Sequence, residues 1–369
     1  MFVPFNDLSR IHKPLLNKSL KNLEKTVLKN DLILSEDIRL FEEKYSEFTN
    51  QKYTVSCANG TDAIELILRA LEIGIGHEVI VPTNSFIATA VAVVRTGAKP
   101  VFVDNNKDYL IDVSSIEKMI NKKTKAIIGV NLYGQMCDVV SLKKIAKSRN
   151  IYFIEDAAQS HGASHGKLSV GDNSIAAAYS FYPGKNLGGW GDGGAITTNS
   201  KTLRDKLQKI RNVGSSKKYV HDITGFNSRL NPVNGIVLYE KLKYIDEYNN
   251  ERKEIASKYL NAFSEEKNIL LPNVCEKNSH VWHLFVIQVR NRDLFVKKAL
   301  DKGVQLIIHY PIPIHKQKAF KNHQQFNKNL ENANKFSKRI VSLPIFPKMK
   351  NKEIDYVIDT IKSIASSSK

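Results

Sequence analysis

Over the first two thirds of the chain, short apolar runs rich in β-branched residues alternate with segments whose apolar positions recur at helical spacing. YTVSC (53–57) leads into TDAIELILRAL. EVIVP (78–82) precedes SFIATAVAVVRT, and KPVFVD (99–104) follows. KAIIGVNLYG (125–134) precedes SLKKIAKSRN, and IYFIED (151–156) comes next. Strands that alternate with helices in this way predict a mostly parallel sheet covered on both faces. After Asp156 the pattern changes to short strands, AAAYSFY (176–182) and GAITT (194–198), separated by long loops. Two helices are expected ahead of the sheet, over 12–29 and 36–49. From about 245 the alternation weakens. A polar helix (246–263), the run HVWHLFVIQV (280–289), a helix near 292–301, the strand VQLIIHY (304–310) and a closing helix (351–365) predict a smaller α+β unit. The expected division is a large α/β domain over 1–245 and a small domain over 246–369.

Composition narrows the class. A length of 369 residues with 42% hydrophobic and 25% charged residues describes a globular chain large enough for two domains. Cys57, Cys137 and Cys275 are an odd, scattered set without a CxxC pair, which argues against a disulfide framework or structural metal and for a reducing cytoplasm. The opening MFVPFNDLSRIHKPL lacks the apolar core of a secretory signal. No run approaches the roughly 18 uncharged apolar residues of a membrane span. The expectation is a soluble cytoplasmic protein with no membrane partner. The formal charge of +18 raises the question of nucleic acid. The lysines are spread along the whole chain without an arginine-rich stripe, so the reading is a lysine-rich surface with no nucleic-acid partner. Its positive field would draw small anionic ligands.

The candidate chemistry lies at strand ends. In SFYPGKNLGGWGDGG (180–194) a strand runs into Pro183 and Gly184, then Lys185, then a glycine-rich loop. Small, rigid neighbours let a bulky ring approach the backbone beside this lysine. Gly189, Gly191 and Gly194 formally match a dinucleotide fingerprint. They neither close a buried strand nor open a helix, and a nicotinamide site is rejected on that ground. Asp156 ends an apolar strand, where α/β sheets seat their ligands. Its carboxylate would favour a protonated pyridine nitrogen, with a simple turn cap as the alternative. Gln159 could donate to a phenolic oxygen. Gly60 and Thr61, between a strand and an amphipathic helix, offer free N–H groups and a helix dipole to a phosphate, although Thr61 could equally be only a cap. Ser180 adds a hydroxyl, and Phe86 is either a ring-stacking face or core. A lysine, an acid, a phosphate cradle and a packing face are what pyridoxal phosphate requires of a protein.

These residues resemble a known family. ANGTDA (58–63), EVIVP (78–82), EDAAQSHGA (155–163), SFYPGKNLGGWGDGGA (180–195) and FNSRLN (226–231), in this order and with VPFNDL (3–8) at the start, are similar to the DegT/StrS sugar-nucleotide aminotransferases. The resemblance covers nearly the whole chain. It implies the aspartate-aminotransferase type of fold and pyridoxal 5'-phosphate bound to Lys185. By the same resemblance, Asp156 meets the ring nitrogen, Gln159 the phenolic oxygen, and Gly60, Thr61 and Ser180 the phosphate, with Phe86 packed on the ring. Asn227 resembles the asparagine that reaches the phosphate from a second subunit, which implies a homodimer.

KKYVHDITGFNSRLN (217–231) and VWHLFVIQV…LIIHYPIPIH (281–315) look most like the branch that converts dTDP-3-keto-6-deoxyhexoses to 3-amino sugars with L-glutamate. In that branch His309, Tyr310 and His315 are candidates to contact the sugar. The segment NPVNGIV after FNSRL departs from the family's acidic-Leu-Gln-Ala. A 4-keto sugar substrate is the alternative. A dehydratase of the same fold would carry histidine in place of Lys185, and a non-catalytic regulator would not need the complete cofactor set.

Overall fold

The computed structural model describes residues 1–323 and 330–367. Its centre is a seven-stranded sheet formed by Tyr53–Cys57 (β1), Glu78–Pro82 (β2), Lys99–Val103 (β3), Thr124–Val130 (β4), Tyr152–Asp156 (β5), Ala176–Ser180 (β6) and Gly194–Thr198 (β7), in the order β1-β7-β6-β5-β4-β2-β3. Six strands run parallel. Only β7 is antiparallel to its neighbours. The strands read as nearly continuous apolar runs because helices cover both faces.

This topology gathers the carboxyl ends of the parallel strands along one edge. Asp156 pairs with Val130 and Ala178, and Ser180 with Gly194, which is also the partner of Cys57. The turn after β1, the segment after β2 and the ends of β5 and β6 therefore face one space.

The helix Gly60–Ala70 shows why the sequence folds locally as it does. Asn59, in extended conformation, caps it by accepting from the Asp62 N–H at 2.8 Å. Ala63, Ile64, Leu66, Ile67 and Ala70 then go into the core. The helices Glu36–Thr49 and Pro232–Leu242 pack on one another beside the sheet.

A second apolar cluster joins the helices Ile245–Phe263, Arg292–Asp301 and Asn351–Ser366 to a three-stranded sheet of Ile269–Leu270, Phe285–Val289 and Ile340–Leu343. Val3 belongs to this cluster. The predicted strand over 304–310 does not form. Only isolated bridges, Val3 with Val304 and Ile307 with Ser342, occur there. Gln305 turns to the N-terminal segment instead, its N–H donating to the Val3 carbonyl and its amide oxygen accepting from Phe5 N–H.

Candidate active site

The strand-end space is a cavity of roughly 770 Å³. Its wall brings together Gly60, Thr61, Phe86, Asp156, Gln159, Ser180, Lys185, His309 and Tyr310. Asn227 and His315 are not among its lining residues. Asn227 is exposed on the segment that follows the hairpin near 215–221. His315 bonds through Nδ1 to the Thr83 hydroxyl at 2.6 Å.

Lys185 sits on a loop pinned at its base. The Lys185 N–H donates to the Tyr182 carbonyl at 2.9 Å, and Gly189 N–H to the Phe181 carbonyl at 2.8 Å. Burial of the lysine amine, only partly offset by Asp156, pulls it down to about 8. A neutral amine is thus within reach near physiological pH.

Glu155 and Asp156 are adjacent but serve opposite sides of the sheet. Glu155 is spent on the Gly171 N–H, Ser174 and Asn131. Asp156 faces the cavity wall. Its Oδ2 accepts from Thr89 at 2.7 Å and its Oδ1 from Ala158 N–H at 3.2 Å. Burial raises this carboxyl, while Thr89, Ala158 and the Lys185 charge act against that rise.

Gln159 is oriented by its neighbours. Its oxygen accepts from Tyr133 N–H at 2.7 Å, and its nitrogen donates to the Tyr310 hydroxyl at 3.1 Å. Tyr310 lies against Phe86, with ring centroids 5.7 Å apart. His309 bonds through Nδ1 to Ser342 at 2.9 Å, and burial lowers it to about 4. His161, from the EDAAQSHGA stretch, belongs to the core. It bonds to Tyr45 at 2.8 Å and to the Ser180 carbonyl at 3.0 Å, and burial holds it near 3.

At the other end, Gly60 packs directly on Ser180. A Cβ on Gly60 would lie 2.7 Å from that of Ser180, and one on Gly194 would lie 2.4 Å from the Asn59 carbonyl. Both positions must be bare for helix start and strand end to meet.

Several wall residues escaped the sequence reading. Phe5, Asn6, Arg252, His283 and Leu284 come from the N-terminal segment and from residues beyond 245. Asn186 spends both amide protons on Asn249 and the Val281 carbonyl, so its oxygen accepts from His283 Nδ1 at 3.0 Å. That fixes the tautomer of His283. Thr89 was legible only as a helical residue one turn beyond Phe86.

A lysine on a glycine-rich loop beside a buried strand-end aspartate, across from a bare helix start, defines a pyridoxal-phosphate-dependent enzyme. Comparison with known proteins bears this out. Residues 15–362 match the model of the DegT/DnrJ/EryC1/StrS aminotransferase family, and the chain belongs to that family. It is 42% identical over 362 residues to the dTDP-3-amino-3,6-dideoxy-alpha-D-galactopyranose transaminase of Aneurinibacillus thermoaerophilus, covering 97% of this chain and 98% of the relative. The crystal structure of DesV from S. venezuelae superposes with a TM-score of 0.96 at 35% identity, over 99% of this chain and 98% of that one. The ntda protein of Bacillus subtilis, solved with bound cofactor PMP, superposes with a TM-score of 0.93 at 31% identity, over 99% and 85%. The chain is a pyridoxal-phosphate-dependent aminotransferase of the sugar-nucleotide type. Among the described residues, no helix is long and apolar enough to cross a membrane, and no group of His, Cys, Asp and Glu is placed to hold a metal.

Proposed function

We propose that the protein transfers the amino group of L-glutamate to a dTDP-linked 3-keto-6-deoxyhexose, giving the dTDP-3-amino-3,6-dideoxyhexose, and that it does so as a homodimer in the cytoplasm. The observation that carries this reading is the full-length similarity to a dTDP-3-amino sugar transaminase, joined to a cavity lined by both Lys185 and Asp156. Three free thiols are in keeping with a reducing compartment.

The residues present fit the cofactor. The bare Gly60, packed on Ser180 at a helix start, leaves backbone N–H groups and a hydroxyl for a phosphate. Asp156 is buried and hydrogen-bonded where a protonated ring nitrogen would meet it. Phe86 and Ala158 offer apolar packing surfaces. Once bound, the cofactor supplies an aldehyde carbon that carries the amino group and a ring that delocalises the electrons released at the reacting carbon.

The remaining work falls to side chains. An ionised Asp156 would hold the ring nitrogen protonated. Lys185 would anchor the cofactor, and its Nζ, lowered to about 8 by burial, would accept the proton released at the donor's α-carbon. Gln159 presents its amide nitrogen to the cavity. His309 and Tyr310 offer a neutral imidazole and a phenol to the sugar. Asn227, exposed and outside its own cavity, is assigned to the phosphate in the partner subunit.

The deciding experiment incubates the enzyme with glutamate and either dTDP-3-keto or dTDP-4-keto 6-deoxyhexose. Amination of the 3-keto sugar is expected. Amination of the 4-keto sugar alone would replace the substrate assignment, and loss of the oxygen without amination would indicate dehydration.

A further inference from the structure

The backbone that carries His309 and Tyr310 is not held by a ladder. Upstream of them Ile307 and Ser342 exchange N–H and carbonyl bonds, and downstream Ile314 N–H donates to the Thr83 carbonyl at 3.0 Å. Between these anchors, residues 308–312 make no backbone–backbone hydrogen bond among the described residues. Pro311 has no N–H to offer. Side chains must therefore set where the imidazole and the phenol stand. His309 meets Ser342 through Nδ1 at 2.9 Å and lies against Phe5, with ring centroids 5.5 Å apart.

Tyr133 supports the rest. Its hydroxyl donates to the His309 carbonyl, and its backbone N–H donates to Gln159 Oε1 at 2.7 Å. Gln159 Nε2 donates to the Tyr310 hydroxyl at 3.1 Å, so Tyr133, Gln159, Tyr310 and His309 form a closed circuit. Tyr133 is itself fixed. It is 3% exposed, its carbonyl accepts from Leu284 N–H at 3.2 Å, and its ring meets Tyr109 edge-on at 5.4 Å between centroids. Its φ of 61° is a left-handed conformation that a bulky residue keeps only where the surroundings over-determine it.

The direction of each bond follows. Burial pushes the phenols of Tyr133 and Tyr310 upward, so both keep their protons at neutral pH. A carbonyl only accepts, which commits the Tyr133 proton to His309. The Tyr133 N–H turns the oxygen of Gln159 toward itself and the nitrogen toward Tyr310. Tyr310 accepts that bond, and its own proton, without an acceptor among the described residues, is left for a ligand in the cavity.

We propose that Tyr133 is a positioning residue for the sugar, its hydroxyl seating His309 and Tyr310 so that the imidazole and the free phenol proton meet the hexose. This rests on the reading of the cavity as the site of a sugar-nucleotide aminotransferase, and it names the residue that orders the sugar wall.

Tyr133→Phe removes the hydroxyl and keeps the ring. In the cofactor-loaded enzyme, calorimetry should show Kd for dTDP-6-deoxyglucose raised roughly five- to tenfold, with Kd for dTDP, which lacks the hexose, changed by less than about twofold. KM for the keto sugar should rise in parallel. The rate at which glutamate discharges the visible band of lysine-bound cofactor should change far less. Equal weakening of dTDP and dTDP-6-deoxyglucose, or an equal slowing with glutamate, would make Tyr133 a general structural pin and overturn the assignment. An unchanged Kd for dTDP-6-deoxyglucose, or a wild type that binds neither nucleotide, overturns it as well. If the variant does not fold, crystals of the wild type with dTDP-6-deoxyglucose decide the question, because a hexose out of reach of both His309 and Tyr310 also refutes it. A wild type that binds dTDP-6-deoxyglucose but aminates no dTDP-3-keto sugar defeats the substrate reading alone, and the two Kd values still report on Tyr133.

Discussion

The hydroxyl of Thr89 donates a 2.7 Å hydrogen bond to Oδ2 of Asp156, from the first turn of the helix Ala88–Arg95 to the end of β5. Burial raises the Asp156 carboxyl, and this bond is the largest influence acting against the rise. Thr89→Val removes it while keeping the shape of the side chain. A hydrogen bond to a charged group contributes about 1.5–3 kcal/mol, so the cofactor's Kd should rise by about tenfold or more. The sign of the pH effect follows. Asp156 must be ionised to hold the ring nitrogen, and without Thr89 it protonates at a higher pH. The acid limb of the activity profile should therefore move upward. Asp156→Ala should lose more affinity than Thr89→Val, and Asp156→Glu less than Asp156→Ala. A wild-type cofactor Kd and unchanged acid limb in Thr89→Val would show that the bond does not tune the carboxylate.

Lys185→Ala should abolish turnover and spare the fold. One amine both anchors the cofactor and carries the proton, so its loss should cost more than about 10³-fold in kcat. The visible band of lysine-bound cofactor should disappear, with the far-ultraviolet dichroism retained. Steady-state turnover near the wild-type rate would sink the assignment.

Lys241 is 1% exposed in the helix Pro232–Leu242, where its ammonium donates to the Gly188 carbonyl of the lysine loop and approaches His12 Nε2 at 3.4 Å. Burial, reinforced by Arg252, pulls it down to about 7 from 10.5. Between these values the unfolded chain holds more protons than the folded one, so stability rises with pH across this window. Below pH 7 both states are charged and the burial penalty is fully present. Lys241→Met removes this titration. Relative to wild type it should be least damaging at pH 6 and most damaging at pH 9, by a difference on the order of 2 kcal/mol. Urea unfolding of the cofactor-free protein at both pH values measures it, and a difference that is constant with pH counts against the argument.

Local pattern carried much of the sheet. The runs at 53–57, 78–82 and 194–198 became strands over those same residues, because strands covered on both faces are rich in β-branched and small side chains that pack there. The helices Lys201–Ile210 and Pro232–Leu242 went unread although signals were present, with Ser200 and Asn231 as caps and Pro232 at the first position. The segment 304–310 misled because its alternation is genuine but its hydrogen bonds are divided, Gln305 bonding to the N-terminal segment some 300 residues away in sequence and Ile307 to Ser342. The same limit applies to the cavity. Lys185 and Asp156 stand out beside glycines and at a strand end. Arg252 and His283 carry no local mark, since only packing of the second apolar cluster against the sheet edge brings them to the wall.

The assembly proposal turns on Asn227. Its neighbour Ser228 is tied to its own subunit, donating to Asp62 at 2.7 Å and accepting from Ala58 N–H at 3.2 Å. This anchors the segment beside the helix Gly60–Ala70, while Asn227 itself stays exposed and outside the cavity of its own chain. In a twofold dimer one such contact is repeated, creating two equivalent composite sites. Asn227→Ala should then bind the cofactor more weakly, with light scattering still reporting a dimer. Mixing inactive Lys185→Ala with Asn227→Ala at limiting cofactor provides the sharper test. Random exchange makes half of the dimers mixed, and each mixed dimer holds one site with both residues intact, so activity should recover to about a quarter of wild type. A fully active monomer rules the idea out. Absence of recovery after demonstrated subunit exchange would place Asn227 in service of its own chain.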